Sequence, residues 1–270
     1  MSRKKVSQVL AIIGFMIAVV HAIHAFTLDG TIEYTEVSFT SPRVPPELDG
    51  YLIAFIVDTH RISQERLLGM VEELNQRQPD LVLLGGDFAS ISEMQWAIEM
   101  LSSIQTTDGI FGVEGNHDSY LHLFAAMRHF GITPLSNSGY LVRENFFVAG
   151  VEDLWNRESC VNTAIANATA NDFVLLVSHN PDVAMQQDTT GVDLILSGHI
   201  HGGQITLFGL WAPYLTLGGN SITNYGHRFR QGFAKSYDDV PVYVSRGVGE
   251  YLPRVFSRPE VAMVRLNTED

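Results

Sequence analysis

The chain has 270 residues, of which 46% are hydrophobic, and this is enough for one sizeable hydrophobic core. Its formal net charge of −13 argues against a nucleic-acid partner, because binding to nucleic acid depends on clustered lysine and arginine. Cys160 is the only cysteine, which excludes an intrachain disulfide framework and a metal site built from thiolates.

The first thirty residues have the pattern of a membrane-targeting segment. Arg3, Lys4 and Lys5 precede an uncharged apolar run over residues 9–26, which is about the minimum length for a helix that crosses a bilayer. Basic residues before the run and acidic residues after it place the rest of the chain outside the cytoplasm. We expect an uncleaved single-pass anchor, with a cleaved signal peptide as the alternative. A core helix is disfavoured because no polar face interrupts the run.

A proline-rich stretch that ends at Pro46 follows this segment and predicts a stiff connector. We therefore divide the chain into three parts: an anchor or signal segment over residues 1–30, a connector over 31–50 and one folded domain over 51–270.

Apolar strands and amphipathic helices alternate from Tyr51 onwards. Strands are predicted over residues 51–57, 81–84 and 110–113, and each strand runs directly into polar residues. Strands predominate in the second half, at residues 140–142, 146–151, 173–178, 192–196, 241–245 and 261–266. The alternation indicates an α/β architecture, and the strand-rich second half indicates a second sheet packed on the first.

Five of the predicted strands end in side chains that can bind a metal ion. These are Asp58 and His60, Asp87, Asn116 with His117 and Asp118, His179, and His199 with His201. Because ligand sites in open α/β sheets form outside the carboxyl ends of the strands, we expect these side chains to converge. Carboxylate, amide and imidazole donors without sulfur suit divalent ions such as Mn, Fe or Zn. If these were ordinary turn or packing residues, side chains that can bind a metal ion would have to occur at all five strand ends by coincidence.

These motifs resemble, in order, the five-block signature of the calcineurin-like metallophosphoesterases. The blocks are Asp58-Thr-His60, Gly86-Asp87, Gly115-Asn-His-Asp118, His179 and Gly198-His-Ile-His201. The resemblance covers the chain from about Tyr51 to its C-terminus. It implies a four-layer α/β/β/α sandwich of two mixed sheets, and an enzyme that hydrolyses a phosphate ester or pyrophosphate bond with two divalent metal ions.

The resemblance further implies a role for each residue of the motifs. One metal ion would be held by Asp58, His60, Asp87 and His201. The other would be held by Asp87, Asn116, His179 and His199, so that Asp87 bridges the pair. His117 would protonate the leaving group or stabilise the developing charge, and Asp118 would orient His117.

A finer resemblance is to the bacterial membrane-associated subgroup typified by the YkuE and YaeI proteins. It rests on Gly198-His-Ile-His-Gly-Gly-Gln204, on Tyr243-Val-Ser-Arg-Gly-Val-Gly249, and on Pro253 and Arg258-Pro-Glu260. Because that subgroup includes enzymes that cleave UDP-2,3-diacylglucosamine, the resemblance implies a lipid-linked substrate such as that molecule or a phospholipid. A phosphodiesterase for soluble nucleotides or cell-wall polymers, and a non-catalytic metal-dependent scaffold, are the alternatives. The complete ligand set together with His117 favours an enzyme.

Two further features lie outside the metal-binding motifs. Arg246 is a candidate for contacting the substrate phosphate, although most arginines are simply exposed or ion-paired. Residues 207–215 are apolar and aromatic and follow closely after the metal-binding loop. They either form a lip that accepts acyl chains or rests on the membrane interface, or they pack over the second sheet.

The predicted topology and the predicted substrate constrain each other. A UDP-linked precursor is cytoplasmic, whereas the charge rule places the folded domain outside the cytoplasm. An external domain therefore favours a phospholipid or an envelope phosphate, and a UDP-linked substrate requires the domain to lie on the cytoplasmic face.

Overall fold

The structure is a computed structural model that describes residues 3–88, 91–217, 222–249 and 253–269. Its helices are α1 (Arg3–Phe26), α2 (Gln64–Arg77), α3 (Ile91–Ser102), α4 (Tyr120–His129), α5 (Val161–Ala164), α6 (Val183–Gln186) and α7 (Pro213–Leu217). Its strands are β1 (Glu33–Ser41), β2 (Leu52–Ile56), β3 (Leu81–Leu84), β4 (Ile110–Gly112), β5 (Thr133–Pro134), β6 (Ser138–Arg143), β7 (Phe146–Gly150), β8 (Phe173–Val177), β9 (Leu194–Ser197), β10 (Gly232–Lys235), β11 (Pro241–Val244) and β12 (Glu260–Thr268).

The strands form two mixed sheets. The order in the first sheet is β1-β12-β2-β3-β4-β5, and the order in the second is β10-β11-β9-β8-β7-β6. Strands β2 to β5 run parallel to one another, as do β7, β8, β9 and β11. Since parallel strands begin and end at the same edges of a sheet, the carboxyl ends of β2, β3 and β4 lie side by side, and so do those of β7, β8 and β9.

The two sheets pack face to face, and helices cover the outer face of each. Side chains of β2 alternate: Ile53 and Phe55 lie in the core between the sheets, whereas Ala54 and Ile56 pack against the helices of the first sheet. Helices α2, α3 and α4 cover the first sheet, and α5, α6 and α7 cover the second. The predicted four-layer α/β/β/α sandwich is confirmed.

Helix α2 shows how local sequence sets one of these layers. The Ser63 hydroxyl accepts a hydrogen bond from Arg66 N at 3.3 Å and caps the first turn. Leu67, Met70 and Leu74 recur at helical spacing and are buried against the first sheet. The chain leaves the helix at Gln78, which has a φ of 51° and so ends the right-handed path.

The segment that the sequence analysis assigned to a connector contains strand β1. It pairs in parallel with β12 from Glu33↔Glu260 to Ser41↔Thr268. Val37 and Phe39 are buried in the core between the sheets, while Glu36, Ser38 and Thr40 are exposed. Strand β1 is half-buried and alternating, so it lacks the continuous apolar run by which the central strands were predicted. Strand β1 is therefore part of the first sheet, although it lies in the stretch that was expected to be a connector.

Helix α1 is the apolar run that was predicted near the N-terminus. None of its residues is buried against the rest of the protein. In the described part of the chain it is the one helix long and apolar enough to cross a membrane, and a signal sequence has the same length and composition.

Candidate metal centre

The strand ends predicted to carry ligands meet at one edge of the sandwich. The loops after β2, β3 and β4 come from the first sheet, and those after β8 and β9 come from the second. Six of the candidate ligands are buried there: Asp58, His60, Asp87, His179, His199 and His201. The structure therefore brings together side chains that are more than 140 positions apart in the sequence, such as Asp58 and His201.

Asp58, His60 and His201 form one group, in which the donor atoms all lie within 4.8 Å of one another. Asp58 Oδ1 lies 3.6 Å from His201 Nε2 and 3.9 Å from His60 Nε2. The other oxygen, Oδ2, accepts a hydrogen bond from His199 N at 2.8 Å. Within the described residues Oδ1 is buried without a hydrogen-bond partner, which is the position that a cation would satisfy.

Asp87, His179 and His199 form the second group, with donor atoms again within 4.8 Å. His179 Nε2 lies 3.1 Å from His199 Nδ1, 3.1 Å from Asn116 Oδ1 and 3.2 Å from Asp87 Oδ2. Asn116 therefore adds an amide oxygen beside the two imidazoles and the carboxylate of the second group.

Asp87 joins the two groups. Its Oδ2 lies 3.2 Å from His60 Nε2 in the first group and 3.2 Å from His179 Nε2 in the second. Its Oδ1 accepts a hydrogen bond from His117 N at 2.8 Å, so the same carboxylate also holds the loop after β4. One oxygen equidistant from both groups is the arrangement that a bridging ligand requires.

Backbone carbonyls fix the orientation of two of the imidazoles. His179 Nδ1–H donates to Gly85 O at 2.9 Å, and His199 Nε2–H donates to Ile222 O at 2.9 Å. The opposite nitrogen of each ring then faces the centre, which is how metal-binding histidines are usually held.

The backbone at the centre is in an unfavourable conformation. Asp58, Asp87, His199 and His201 have φ values of 54°, 59°, 70° and 52°, in the left-handed region that non-glycine residues rarely adopt. Such strain is retained where the surrounding structure imposes it, commonly at functional sites. Packing is also tight, since a Cβ at Gly115 would lie 2.2 Å from Asp87 Oδ1.

Burial and close neighbours shift the pKa values of these groups. Burial would raise the pKa of Asp87, but the charges and hydrogen bonds of His179 and His60 outweigh it and hold that pKa well below its usual value. Asp87 in turn raises the pKa of His179 to about 10, although burial alone would lower it. Burial raises the pKa of Asp58 and lowers that of His199 to about 3. Two buried carboxylates need positive charge beside them, and the oxygen and nitrogen donors present fit two divalent cations.

Asp118 ties together the loops that carry the ligands. Its carboxylate accepts hydrogen bonds from the backbone N–H groups of Asp87 at 2.7 Å, Phe88 at 3.0 Å and Gly115 at 2.9 Å. Burial, and then the charge of Asp87, raise the pKa of Asp118 to about 7. These contacts assign Asp118 to loop positioning, and its expected role in orienting His117 stays a prediction.

A cavity of about 500 Å³ opens above the candidate ligands. His117 lines it beside His60, with 5.5 Å between the ring centroids. The apolar part of its wall is formed by Trp155, Ile200, Ile205, Tyr214 and Ile222. The cavity therefore combines a polar floor with an apolar wall, as is common for sites that bind small molecules.

The sequence analysis did not identify Trp155. It lies edge-on to His199, with 4.6 Å between the ring centroids, and the neighbouring Asn156 donates to Asn116 O at 2.7 Å. A signal was available, because β7 is parallel to β8 and its carboxyl end reaches the same edge of the sheet. Glu152 and Asp153 follow β7, but they match none of the five metal-binding blocks, so the motif search passed over this loop.

Two arginines lie close to the loop after β9, Arg246 beside Gly202 and Arg254 beside His201. Arg246 forms ion pairs with Glu33 at 2.7 Å and Glu260 at 3.3 Å, and among the described residues it is not part of the cavity wall. Its contact with substrate stays a prediction. Arg254, which the sequence analysis missed, is buried, and its Nη2 lies 3.3 Å from His201 Nδ1 and donates to Gly249 O at 2.6 Å.

Comparison with known proteins accords with this geometry. The sequence profile of the calcineurin-like phosphoesterases matches residues 51–203, more than half of the chain. The chain belongs to the calcineurin-like phosphoesterase family. It is therefore a metal-dependent phosphoester hydrolase, and the two groups of candidate ligands are the part of the structure that suits a dinuclear centre.

The chain is also similar to individual members of the family. Metallophosphoesterase YkuE of Bacillus subtilis is 26% identical over 258 residues, covering 88% of this chain and 86% of YkuE. Phosphodiesterase YaeI of Escherichia coli is 29% identical over 238 residues, covering 80% of this chain and 82% of YaeI. The predicted resemblance to this subgroup is confirmed.

Other relatives are longer. A transmembrane protein with a metallophosphoesterase domain from Danio rerio is 28% identical over 260 residues, which cover 86% of this chain and 56% of the relative. The chain likewise spans about half the length of several further relatives that it matches.

Proposed function

We propose that this enzyme hydrolyses a phosphodiester or pyrophosphate bond in a lipid-linked substrate, such as UDP-2,3-diacylglucosamine or a phospholipid. The observation that supports this proposal is the cavity, in which a floor of nitrogen and oxygen donors adjoins a wall of apolar side chains. A phosphate bound over the floor would place an attached acyl chain against Trp155, Ile205 and Tyr214.

We assign the ligands as two overlapping sets. Asp58, His60, Asp87 and His201 would hold one ion, and Asp87, Asn116, His179 and His199 would hold the other. When bound, two divalent ions polarise the phosphoryl oxygens and lower the pKa of water. The protein fixes where that happens, through the hydrogen bonds that His179 and His199 donate to Gly85 O and Ile222 O and through the strained loops at the strand ends.

His117 would act on the leaving group. Attack of water on phosphorus breaks the bond to the leaving oxygen, and that oxygen needs a proton. The His117 side chain lines the cavity beside the ligand groups, and its backbone is held by Asp87 Oδ1 at 2.8 Å. Asp118 would keep this loop in place through its three backbone contacts.

Helix α1 would anchor the enzyme in a membrane. None of its residues is buried and most of its apolar residues are exposed, and the Danio rerio relative is named as a transmembrane protein. By the charge rule the domain would lie outside the cytoplasm, which favours a phospholipid or envelope phosphate over a UDP-linked precursor. A reporter fused to the C-terminus that is active on one side of the membrane alone tests this orientation.

The substrate class is tested with pairs of molecules that share the bond to be hydrolysed but differ in whether they carry acyl chains. We expect the full chain in detergent, loaded with Mn²⁺ or Zn²⁺, to hydrolyse UDP-2,3-diacylglucosamine with a higher kcat/KM than UDP-glucosamine. Phosphatidyl phosphodiesters and their deacylated headgroup diesters form the second pair. If UDP-glucosamine and the deacylated diesters are hydrolysed with a kcat/KM equal to or higher than that of their acylated counterparts, the lipid-linked assignment is overturned. That result would support a phosphodiesterase for soluble nucleotides.

A further inference from the structure

An exposed apolar surface lies beside the mouth of the cavity. It consists of Ile205, Leu207, Phe208, Leu210, Trp211 and Tyr214, each between 38% and 82% exposed, and we call it the apolar ridge. The sequence carries no Asp, Glu, Lys or Arg from residue 205 to residue 226, in a chain whose net charge is −13. An exposed apolar patch of this kind marks a surface that contacts a membrane or another protein.

The apolar ridge is held in a defined conformation by hydrogen bonds. Leu207 N donates to Trp211 O at 2.7 Å, which closes the turn at the tip of the ridge. Gly209 N donates to Thr206 Oγ1 at 2.9 Å, and Arg230 Nη2 donates to Gly209 O at 2.8 Å. Because the turn is fixed from inside the domain, its apolar side chains are presented outward rather than folded back.

The apolar ridge also touches the end of helix α1. Phe208 N lies 3.4 Å from His21 Nε2, and the two rings are 4.6 Å apart. Phe256 stacks on His24 at 3.8 Å, and its N–H donates to Asp29 Oδ2 at 3.0 Å. These contacts fix the height of the ridge along the helix axis.

If α1 spans a bilayer, the position of the apolar ridge along the helix axis lies within the membrane. The helix has 24 residues and is about 36 Å long, against about 30 Å for the hydrocarbon core of a bilayer. His21 precedes the last helical residue, Phe26, by five positions, which is about 7.5 Å along the axis. Phe208, at the level of His21, therefore lies at the boundary between headgroups and acyl chains, where Trp and Tyr are favoured and apolar faces are buried.

We propose that the apolar ridge inserts into the interfacial layer of the bilayer that holds α1, so that the catalytic cavity opens at the lipid surface. Ile205 and Tyr214 belong both to the ridge and to the cavity wall, which makes the two surfaces continuous. The bilayer is the occupant that the contacts with α1 support, because a ridge fixed beside a spanning helix meets lipid first. This inference rests on the proposed membrane anchor.

Tryptophan fluorescence tests the insertion directly. The chain has three tryptophans, and replacing Trp96 and Trp155 by Phe leaves Trp211 on the ridge. We expect Trp211 to lose fluorescence when the full chain is reconstituted in vesicles of phosphatidylcholine brominated near the headgroup end of its acyl chains, compared with unbrominated vesicles. Flotation of the vesicles with the protein reports the anchor separately.

The matched control moves the fluorophore to the other end of the sandwich. In the same background, Trp211→Phe with Tyr237→Trp places the only tryptophan at a residue that is 77% exposed in the turn between β10 and β11. We expect no quenching there. Equal quenching at both positions, or none at Trp211 in protein that floats, would overturn the insertion while leaving the anchor intact. Protein that does not float would overturn both.

Introducing a charge on the apolar ridge tests whether insertion of the ridge gives lipid substrates access to the cavity. Leu210 is 82% exposed, so Leu210→Asp leaves the core untouched, and Tyr237→Asp is the matched control. We expect Leu210→Asp alone to lower hydrolysis of a lipid phosphodiester in vesicles, with hydrolysis of bis(p-nitrophenyl) phosphate unchanged. Reduced hydrolysis of both substrates would contradict the proposal. So would a dimer that Leu210→Asp converts to a monomer, if Trp211 is not quenched in the brominated vesicles.

Discussion

At the scale of single residues, Asp87 contacts both groups of candidate ligands and also the loop after β4. One of its oxygens lies midway between the two groups of candidate ligands, at 3.2 Å from a histidine of each, and the other holds His117 N. Its pKa is held low by the neighbouring histidines, so it is a carboxylate at any physiological pH. Removing its charge should therefore weaken both halves of the centre together, whereas most ligand substitutions affect one half.

Asp87→Asn should lower the amount of metal bound at both positions and abolish phosphodiester hydrolysis, because asparagine keeps the shape but loses the charge. Asparagine also tolerates the φ of 59° at this position, so the fold should be retained. Metal per chain measured by mass spectrometry after gel filtration checks this. Asp239→Asn is the control, since Asp239 is exposed and has a similar φ of 65°. Two ions retained by Asp87→Asn would show that Asp87 is not the bridge.

His117→Gln should leave both metal ions bound and lower kcat by about 10²- to 10⁴-fold, which is the usual contribution of a general acid. The loss should be larger for an alkyl leaving group than for p-nitrophenolate, because the latter leaves without a proton. His122→Gln, at an exposed position of α4, is the control. Equal loss for both leaving groups would contradict a proton-donating role for His117.

The residues of the centre differ in how far the sequence predicted them. Asp58, Asp87 and His179 directly follow apolar strands and have distinctive chemistry, so their positions could be inferred from strand ends alone. Trp155 and Arg254 are single residues in loops, and their contacts with His199 and His201 depend on the path of the whole chain. For Trp155 the one signal is its position after strand β7, and nothing local to Arg254 indicates its contact with His201.

At the scale of elements, the main difference between sequence and structure is at the edges of the sheets. The central strands β2, β3, β8 and β9 are buried on both faces and were predicted as apolar runs. Strands β1 and β10 alternate buried or half-buried and exposed residues and were not predicted. Strand β1 pairs with β12, a partner far along the chain that no local pattern reveals. Strand β10 pairs with the neighbouring β11, but it has only four residues and none of them is buried.

Phe39→Ala should lower the free energy of unfolding by about 3 kcal/mol, because it removes a buried aromatic side chain. Phe39 lies in the core between the sheets, 6.0 Å from the ring of Phe173. Thermal unfolding followed by circular dichroism in detergent measures the change. Thr40→Ala, at the exposed neighbouring position of β1, is the control. Equal stability of the two variants would indicate that β1 is a dispensable connector after all.

The loop after β11 packs closely against Asp58 of the first group of candidate ligands. A Cβ at Gly247 would lie 2.6 Å from Asp58 Cβ, so Gly247→Ala should displace Asp58 and lower metal binding at that position more than at the other. Gly232→Ala is a matched control, because its φ of 72° resembles the 68° of Gly247 but no atom lies within 4 Å of the added Cβ. Both variants share the conformational cost of a positive φ, and the difference in metal content isolates the collision. Equal metal content would contradict a rigid loop.

At the scale of the whole molecule, the centre joins the two sheets of the sandwich. Asp58 and Asp87 extend from the first sheet, whereas His179 and His199 extend from the second. The alternation of strands and helices predicted two packed layers, but it could not predict that β12, at the end of the chain, lies between β1 and β2. That order depends on pairings across most of the chain, and so does the meeting of the two sheets at their carboxyl edges.

A centre shared by both sheets should contribute to the stability of the entire domain. Ions that bind only the folded protein stabilise it by about 2.7 kcal/mol for each site at a free concentration of 100 times Kd. Removing the metal with a chelator should therefore lower the melting temperature of the full chain, and adding back Mn²⁺ or Zn²⁺ should restore it. Without a cation beside them, the buried carboxylates of Asp58 and Asp87 would then repel each other. In the Asp87→Asn variant, whose bridging charge is gone, the chelator should have much less effect. An equal decrease in both proteins, or none in the parent chain, would show that the centre does not join the two halves of the sandwich.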